Sequence, residues 1–205
     1  MASPASSGLC TVLPPLVDDF ADLIEPFARR GVDLGLERLQ AGLAALGHPE
    51  RQFAAVQVAG TNGKGSISTL VHQVLLAAGV NAGLYTSPHL VSWTERIGLG
   101  AAPIAAAELR RQLQAATPAA REHQLTPFEL VTAAAFCAFA EAGLPLVVLE
   151  VGLGGRLDAT TCHPARGVIG LASIGLDHRE FLGPDLASIA AEKAGVLHSG
   201  CVAIS

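Results

Sequence analysis

One loop in this sequence combines the residue types that bind a phosphate group. Residues 60–66 read Gly-Thr-Asn-Gly-Lys-Gly-Ser and lie between an apolar run and a helical pattern. Backbone N–H groups in such a turn and at the following helix N-terminus face an anion, and the helix dipole favours negative charge there. Lys64 adds a mobile positive charge for the β and γ phosphates, and Ser66 offers an oxygen near a magnesium ion. The loop therefore predicts nucleotide binding.

The loop departs from the common G-x-x-x-x-G-K-[ST] pattern. Gly63-Lys64 match, but position 65 is a glycine, the hydroxyl of Ser66 comes one residue late, and the early glycine is missing. A chance glycine turn with a surface lysine is the alternative interpretation. The strand-like and helix-like segments on either side favour the phosphate site.

Further polar residues follow other strand-like segments at the point where each segment ends. Ser87, Glu150 and the pair Asp177-His178 each occupy such a position. Ligands of open parallel sheets bind beyond the carboxyl ends of the strands, so these residues are expected near the loop. Glu150 is the only charge in its apolar run, and a magnesium ion held against ATP phosphates would pair it. A carboxylate exposed at the strand end is the alternative.

Two other features have both a functional and a structural interpretation. The segment 152–158, Gly-Leu-Gly-Gly-Arg-Leu-Asp, lets the backbone pass close to a ligand, with Arg156 and Asp158 as polar contacts. His178 could bind a metal, but a lone histidine is more often a structural hydrogen-bonding residue.

The elements that must position these residues alternate between strands and helices. This order predicts an α/β fold with a mostly parallel sheet, right-handed crossovers and flanking helices. Asp33 is a candidate N-cap, and Thr126, Pro127 and Glu129 form a capping box. The expected strands are 53–59, 80–85, 144–151, 168–174 and 201–204, with a hairpin from 93–97 and 100–104. The expected helices are 17–27, 34–46, 67–78, 105–116, 127–141 and 185–196.

Composition excludes several classes of protein. Half of the 205 residues are apolar, 15% are charged and the net charge is −5, which indicates a globular protein and no nucleic-acid partner. Four widely spaced cysteines indicate reduced thiols in the cytoplasm rather than a disulfide framework. No apolar run is long enough to span a membrane. We expect residues 1–15 to form a disordered tail and residues 16–205 a single ATP-binding domain, which is incomplete because the last strand ends the chain.

Six sequence blocks together resemble one known family, the bifunctional dihydrofolate synthase/folylpolyglutamate synthases of the Mur ligase superfamily. They occur in the order and spacing of that family, from about residue 31 onward, and several are specific to its folate branch. The blocks are Asp33-Leu-Gly-Leu-Glu-Arg38, Gly60 to Ser66, Tyr85-Thr-Ser-Pro-His-Leu90, Leu149 to Thr160, Ile174-Gly-Leu-Asp-His178 and Glu192-Lys-Ala-Gly195.

The resemblance implies an ATP-dependent amide ligase that uses magnesium and is expected to act as a monomer. ATP would phosphorylate the carboxylate of dihydropteroate or of a folate glutamate tail. The amino group of L-glutamate would then attack the acyl phosphate and release phosphate. This order of events has a chemical reason, because a carboxylate acylates poorly until phosphorylation supplies a leaving group.

The resemblance also implies roles for particular residues. ATP would be bound by Gly60, Thr61, Asn62, Gly63, Lys64, Gly65 and Ser66. The pterin side of the substrate would contact Gly31, Val32, Asp33, Leu34, Thr126, Pro127, Phe128, Glu129, Leu157 and Asp158. Ser87 and Glu150 would hold one magnesium ion and His178 a second. Lys193 would join the metal site as a carbamate. The catalytic residues would be Lys64, His178 and Lys193.

Two of these roles have a structural alternative. Without the resemblance, Lys193 is a solvated lysine on a helix, whereas carbamate formation needs a depressed lysine pKa. Phe128 could stack on the pterin ring or serve as a core residue at the start of its helix.

The sequence departs from the family pattern in two places. Thr161 stands where the family usually has asparagine, which puts a local contact in question. The glutamate-binding C-terminal domain of the family is absent, so we expect this chain alone to be inactive. A non-catalytic nucleotide-binding module and a cell-wall Mur ligase acting on a UDP-linked muramyl substrate are the alternatives. The blocks at residues 33–38 and 85–90 argue against the second.

Overall fold

The computed structural model describes residues 20–205, except for the side chain of Arg30. The predicted tail at 1–15 and the start of the predicted helix 17–27 lie outside these residues. The α-helices are α1 (Ala21–Ile24), α2 (Glu37–Ala45), α3 (Lys64–Ala77), α4 (Ala106–Glu122), α5 (Pro127–Glu141), α6 (Arg179–Leu182) and α7 (Leu186–Ala194). The strands are β1 (Ala54–Ala59), β2 (Ala82–Tyr85), β3 (Ile97–Leu99), β4 (Ala102–Pro103), β5 (Leu146–Glu150), β6 (Arg166–Leu171) and β7 (Val202–Ile204). Short 3₁₀ helices cover Glu25–Arg30, Pro49–Arg51, Trp93–Arg96 and Ala159–Cys162.

The described strands form one sheet in the order β4-β3-β2-β5-β1-β6-β7. The five strands from β2 to β7 in this order run parallel, and the small hairpin of β3 and β4 adds two antiparallel strands at one edge. Val147 to Glu150 of β5 are buried, as expected of a central strand covered on both faces. The predicted α/β fold with a mostly parallel sheet is confirmed.

The chain crosses the sheet in opposite directions before and after β2. The connection through α3 runs from β1 to β2, and the connection through α4 and α5 returns from β2 to β5. Crossovers between parallel strands are right-handed in almost all proteins, which places α3 on one face of the sheet and the pair α4 and α5 on the other. Because the five strands are parallel, their carboxyl ends lie at the same edge of the sheet.

Helix α5 is the centre of the main hydrophobic core. Its N-terminus has the predicted capping box, in which Thr126 Oγ1 accepts from Glu129 N at 3.2 Å and Glu129 Oε2 accepts from Thr126 N at 2.7 Å. Phe136 and Phe139 are fully buried and pack edge-to-face on Phe53, at ring centroid distances of 5.9 and 5.8 Å. Each such burial stabilises the fold by roughly 1.5–3 kcal/mol, which fixes α5 beneath the sheet.

Three local predictions were wrong in detail. Asp33 does not cap α2, because the helix begins at Glu37 and the Asp33 carboxylate instead pairs with Arg38 at 3.0 Å. Helix α4 does not stop before Pro118 but continues to Glu122, since burial of Ala119 and Ala120 extends its apolar stripe. The first arm of the predicted hairpin is largely the 3₁₀ helix Trp93–Arg96, which Ser92 caps, so the hairpin strands are short.

Within residues 20–205, no helix is both long and apolar enough to cross a bilayer.

Candidate active site

A cleft of about 380 Å³ opens at the carboxyl edge of the sheet. Nine of the ten residues predicted to bind the pterin side of the substrate line it, and Pro127 at the start of α5 is the exception. Ser87 and His178 also face the cleft. Residues that are far apart in the sequence therefore meet in one space. The predicted residues on its wall are Gly31, Val32, Asp33, Leu34, Thr126, Phe128, Glu129, Leu157 and Asp158.

Arg38 holds one wall of the cleft in place. Its guanidinium pairs with Asp33 at 3.0 Å and with the buried carboxylate of Glu129 at 3.3 Å, and its Nη2 donates to the Asp33 carbonyl at 2.6 Å. The arginine thus joins segment 31–35 to the N-terminus of α5. This link gives a structural reason for the Asp33 to Arg38 block.

Asp158 forms the floor of the cleft and is almost fully buried. Its Oδ2 accepts from the backbone N–H groups of Gly152 and Leu153, both at 3.0 Å. Its Oδ1 accepts from Thr160 N at 2.9 Å and from Thr160 Oγ1 at 2.6 Å. Burial raises the pKa of this carboxyl, and these hydrogen bonds oppose the shift. Because four donors from the protein already satisfy this carboxylate, its role is to hold the backbone of Gly152, Leu153 and Thr160 in place at the floor of the cleft.

Phe128 lines the cleft and also packs against protein. A Cβ atom built on Gly152 would lie 2.6 Å from its Cζ atom, so only glycine fits beneath the ring. The ring centroid lies 6.1 Å from that of Tyr85. The remaining face of Phe128 is part of the cleft wall, where a flat ligand ring could stack.

The glycine loop lies between the end of β1 and the start of α3. Gly63 is the helix N-cap with a φ of 85°, which favours glycine, so the N–H groups of Lys64, Gly65 and Ser66 form the first helical turn. The first N–H groups of a helix have no partner within it. Thr61 N donates to Ser173 O at 2.7 Å, which ties the loop to the segment after β6. The predicted strand, glycine turn and helix are therefore present.

Lys64 and Glu150 lie on the two sides of this first turn. Lys64 Nζ donates to the Thr61 carbonyl at 3.0 Å. Glu150 is buried at the end of β5, and its Oε2 accepts from Ser87 N at 3.0 Å. A Cβ atom on residue 65 would lie 3.4 Å from Glu150 Oε1, so glycine keeps the space between turn and carboxylate open. Burial raises the pKa of Glu150, and the Ser87 N–H and the charge of Lys64 oppose the shift.

Lys193 is buried in α7, contrary to its interpretation as a solvated helix lysine. Its Nζ donates to the Gly60 carbonyl at 2.8 Å, at the start of the glycine loop. A Cβ atom on Gly155 would lie 2.9 Å from the carbonyl oxygens of Glu192 and Lys193, so this glycine lets α7 approach closely. Burial and the charge of Lys64 lower the pKa of Lys193.

His178 is half exposed and precedes the short helix α6. Its Nε2 lies 3.6 Å from Asp177 Oδ2, and its Nδ1 lies 3.9 Å from Glu180 Oε1. Its place on the cleft wall brings it to the same space as Ser87.

The donor set around Glu150 fits a magnesium ion that shares its ligands with a nucleotide. Among residues 20–205, no three His, Cys, Asp or Glu side chains converge on one point. Magnesium usually takes one or two carboxylates and completes its shell with phosphate oxygens and water. One buried carboxylate, the nearby hydroxyl of Ser87 and the open first turn of α3 match that requirement.

The structure corrects one predicted ligand contact and explains one departure from the family pattern. Arg156 pairs with Glu192 of α7 at 2.8 Å rather than facing the cleft. Thr161 Oγ1 donates to the Gly155 carbonyl at 2.8 Å and accepts from Gln57 Nε2 at 3.0 Å. Thr161 therefore closes a loop within the protein.

Several cleft residues were missed by sequence reasoning. Arg96, Leu153, Pro88 and Gly35 line the cleft without having been assigned to it. Leu153 lies within the glycine-rich segment 152–158, which was a usable signal. Arg96 has no such signal, because its place depends on the pairing of β2 with β3.

Sheet order, loop geometry and the buried carboxylate define a P-loop-type α/β domain of the kind found in Mur ligases. No protein-family profile matches the chain, but individual known proteins are similar to it. The dihydrofolate synthase/folylpolyglutamate synthase of Escherichia coli strain K12 is 41% identical, over 86% of this chain and 42% of that protein. The enzyme of the same description from Mycobacterium tuberculosis is 35% identical, over 96% and 44%.

Solved structures agree with these relatives. Escherichia coli FolC in complex with DHPP and ADP superposes with a TM-score of 0.84 at 38% identity, covering 92% of this chain and 46% of that one. A bifunctional folylpolyglutamate synthase/dihydrofolate synthase with Mn, AMPPNP and L-glutamate bound gives 0.80 at 39% identity, covering 87% and 44%. Over the region that it spans, the chain is similar to dihydrofolate synthase/folylpolyglutamate synthases in both sequence and fold. It spans about two fifths of the length of the curated relatives it matches.

Proposed function

We propose that this chain is the ATP-binding and acid-binding part of a ligase that adds L-glutamate to dihydropteroate, to folate glutamate tails, or to both. The acid would first be phosphorylated by ATP, which converts its carboxylate into an acyl phosphate and releases ADP. The amino group of L-glutamate would then attack the acyl carbon, forming the amide bond and releasing phosphate. The named activities of the relatives support this reaction.

One observation carries the proposal. The cleft that holds nine of the ten predicted substrate residues also includes Ser87, whose N–H binds Glu150 beside the glycine loop. An acid bound in the cleft would therefore have its carboxylate directed toward a nucleotide bound on the loop. Phosphoryl transfer depends on this positioning and on neutralising charge.

The glycine loop and Lys64 would bind the phosphates of ATP. Glu150 and Ser87 would hold a magnesium ion and His178 would serve a second, and these ions would supply charge neutralisation between the carboxylate and the phosphates. Phe128 and Leu157 would pack on the pterin ring of the acid.

Lys193 would act after carboxylation of its amino group. A neutral amine attacks carbon dioxide and loses a proton, so that a cation becomes an anionic carbamate. The lowered pKa of Lys193 increases the neutral fraction of the amine. Its hydrogen bond to the Gly60 carbonyl places the group beside the nucleotide loop.

We further propose a cytoplasmic monomer that uses only small-molecule substrates. The described cysteines, Cys137, Cys162 and Cys201, are free thiols, which supports a reducing compartment.

Binding measurements on the 205-residue chain test the proposal, since the relatives are more than twice as long. Calorimetry should show that it binds magnesium-ADP and dihydropteroate but no UDP-sugar. Lys64→Met should remove nucleotide binding and keep dihydropteroate binding, whereas Arg111→Gln, an exposed change on α4, should alter neither. Binding of a UDP-sugar in place of dihydropteroate would instead support a cell-wall ligase. A chain that binds nucleotide alone would support the non-catalytic module.

A further inference from the structure

Arg96 is a half-buried cation on the wall of the cleft. It has no carboxylate partner among residues 20–205, where the salt bridges involve other arginines and histidines. Burial is the main cause that lowers the pKa of Arg96, because it disfavours the charged form. A cation that is partly removed from water needs a compensating charge or several hydrogen-bond acceptors. Arg38 on the neighbouring wall has two carboxylate partners, and the buried Arg166 donates to three oxygen atoms, whereas the Arg96 side chain donates to a single ring nitrogen.

Neutral groups hold the Arg96 side chain in one orientation. Its Nε donates to His89 Nδ1 at 2.9 Å, and its guanidinium carbon lies 4.2 Å from the centroid of the Trp93 ring. His89 in turn packs on Trp93 at 4.6 Å. Burial and the adjacent Arg96 lower the pKa of His89, which keeps the imidazole a neutral acceptor. The guanidinium is therefore oriented while its charge stays uncompensated, and its two Nη groups are left for another partner.

Backbone pairing places Arg96 beside the segment that contains Ser87. Tyr85 of β2 pairs with Ile97 of β3, and Thr86 N donates to the Arg96 carbonyl at 2.9 Å. The next residue, Ser87, donates its N–H to Glu150. Arg96 is thus held against Thr86, the residue directly before Ser87, which we assign to magnesium binding.

We propose that Arg96 binds the carboxylate of the acid substrate, the group that ATP phosphorylates. A guanidinium matches a carboxylate with two parallel hydrogen bonds, which also fixes the carboxylate plane. Without a cation, the carboxylate and the γ phosphate would repel each other at reacting distance. This role rests on the proposed function and adds the residue that orients the reacting group.

The test compares dihydropteroate with its primary amide, which keeps the ring system and lacks the negative charge. Both ligands are titrated into the wild-type chain, Arg96→Gln, Arg96→Lys and the exposed control Arg111→Gln. Trp93 is the only tryptophan of the chain and lies against Arg96, so its fluorescence reports on the same place. Thermal unfolding confirms that each variant is folded.

The wild-type chain and Arg111→Gln should bind the acid at least about tenfold more tightly than the amide. Arg96→Gln should weaken acid binding by roughly 10- to 100-fold and leave amide binding within about threefold, and Arg96→Lys should retain part of the preference.

Three results would overturn the inference. Equal loss of acid and amide binding in Arg96→Gln would show a purely structural role for the arginine. Loss of magnesium-ADP binding with unchanged acid binding would place Arg96 on the nucleotide. Equal binding of acid and amide by the wild-type chain would also contradict it, while leaving the proposed function standing. A wild-type chain that binds neither ligand contradicts the proposed function itself.

Discussion

The charged groups around the cleft fall into two sets that differ in how they are satisfied. Asp158 and Arg166 lie beneath the cleft, where neighbouring donors and acceptors surround them. Lys64 and Lys193 each donate to one backbone carbonyl, and Arg96 donates to one neutral imidazole. Each group of the first set makes several hydrogen bonds within the protein, whereas each cation of the second set makes one.

The satisfied set forms a continuous buried network, which consists of Asp158, Thr160, Gln57 and Arg166. Arg166 Nη1 donates to Gln57 Oε1 at 2.6 Å and to the Val196 carbonyl at 3.0 Å. Gln57 Nε2 donates to Thr160 Oγ1 at 2.9 Å, and Thr160 donates to Asp158. The network joins β6, β1 and the end of α7 to the floor of the cleft.

This difference separates groups that stabilise the fold from groups that await a ligand. Buried polar groups with full hydrogen bonding contribute to stability and are costly to disturb. Cations held near a site with few protein partners lower the stability of the folded protein, and the binding of anions is expected to raise it again. Mutation of the two sets should therefore have opposite consequences for stability and binding.

Arg166→Met should have the largest effect on stability. The change leaves Gln57 Oε1 and two carbonyl oxygens without a donor in a buried place, so we expect a loss of about 3 kcal/mol in the free energy of unfolding. Urea unfolding measures it, with Arg121→Met, an exposed change near the end of α4, as control, which should change stability by less than about 0.5 kcal/mol. A loss of stability as small as that of the control would contradict the assignment of Arg166 to the satisfied set.

Lys64→Met should show the opposite behaviour. Nucleotide affinity should fall about 100-fold, equivalent to ~2.7 kcal/mol, because the phosphates lose their only loop cation. Stability without ligand should stay within about 0.5 kcal/mol of wild type, because Lys64 contributes one partly exposed hydrogen bond. Calorimetry and urea unfolding of the same sample check both values. A large loss of stability would place Lys64 in the satisfied set, with Asp158 and Arg166.

Thr160→Val tests the buried network by removing one hydroxyl while the side chain keeps nearly the same shape. The hydroxyl both donates to Asp158 at 2.6 Å and accepts from Gln57, so its removal should cost about 1–2 kcal/mol. Thr69→Val, on the exposed side of α3, is the matched control and should be nearly neutral. Two variants of equal stability in urea would argue against a cooperative network.

The buried His163 adds a pH dependence to the stability of the fold. The ring is fully buried against Phe53 and Phe136, its Nδ1 accepts from Ala165 N, and burial lowers its pKa to about 4. The folded state therefore holds fewer protons than the unfolded state, whose histidine pKa is ~6.5, so stability falls as pH decreases from about 6.5 to 4.

Between pH 8 and pH 5.5 this histidine should cost about 1.4 kcal/mol. His163→Phe keeps an aromatic ring at the site and should remove this slope, as urea unfolding at the two pH values would show. Both proteins contain Asp158 and Glu150, whose raised pKa values act in the opposite direction, so the difference between the two slopes isolates His163. Parallel slopes would contradict its assignment.

Local patterns in the sequence determined the order of strands and helices, the glycine loop and the capping box at Thr126. These features depend on residues within a few positions of one another, and hydrophobic periodicity and turn chemistry record them directly. The family resemblance then predicted nine residues of the cleft as contacts of the pterin side of the substrate, and the structure brings those residues together.

The tertiary structure alone decided which charges are satisfied. Arg166 and Gln57 are 109 residues apart and Lys193 and Gly60 are 133 apart, so no local pattern connects them. The extension of α4 through Pro118 and the place of Arg96 also depend on packing and strand pairing between distant segments. The sequence identified the groups that could do chemistry, and the packing of the sheet, helices and loops determined which of them remain available to a ligand.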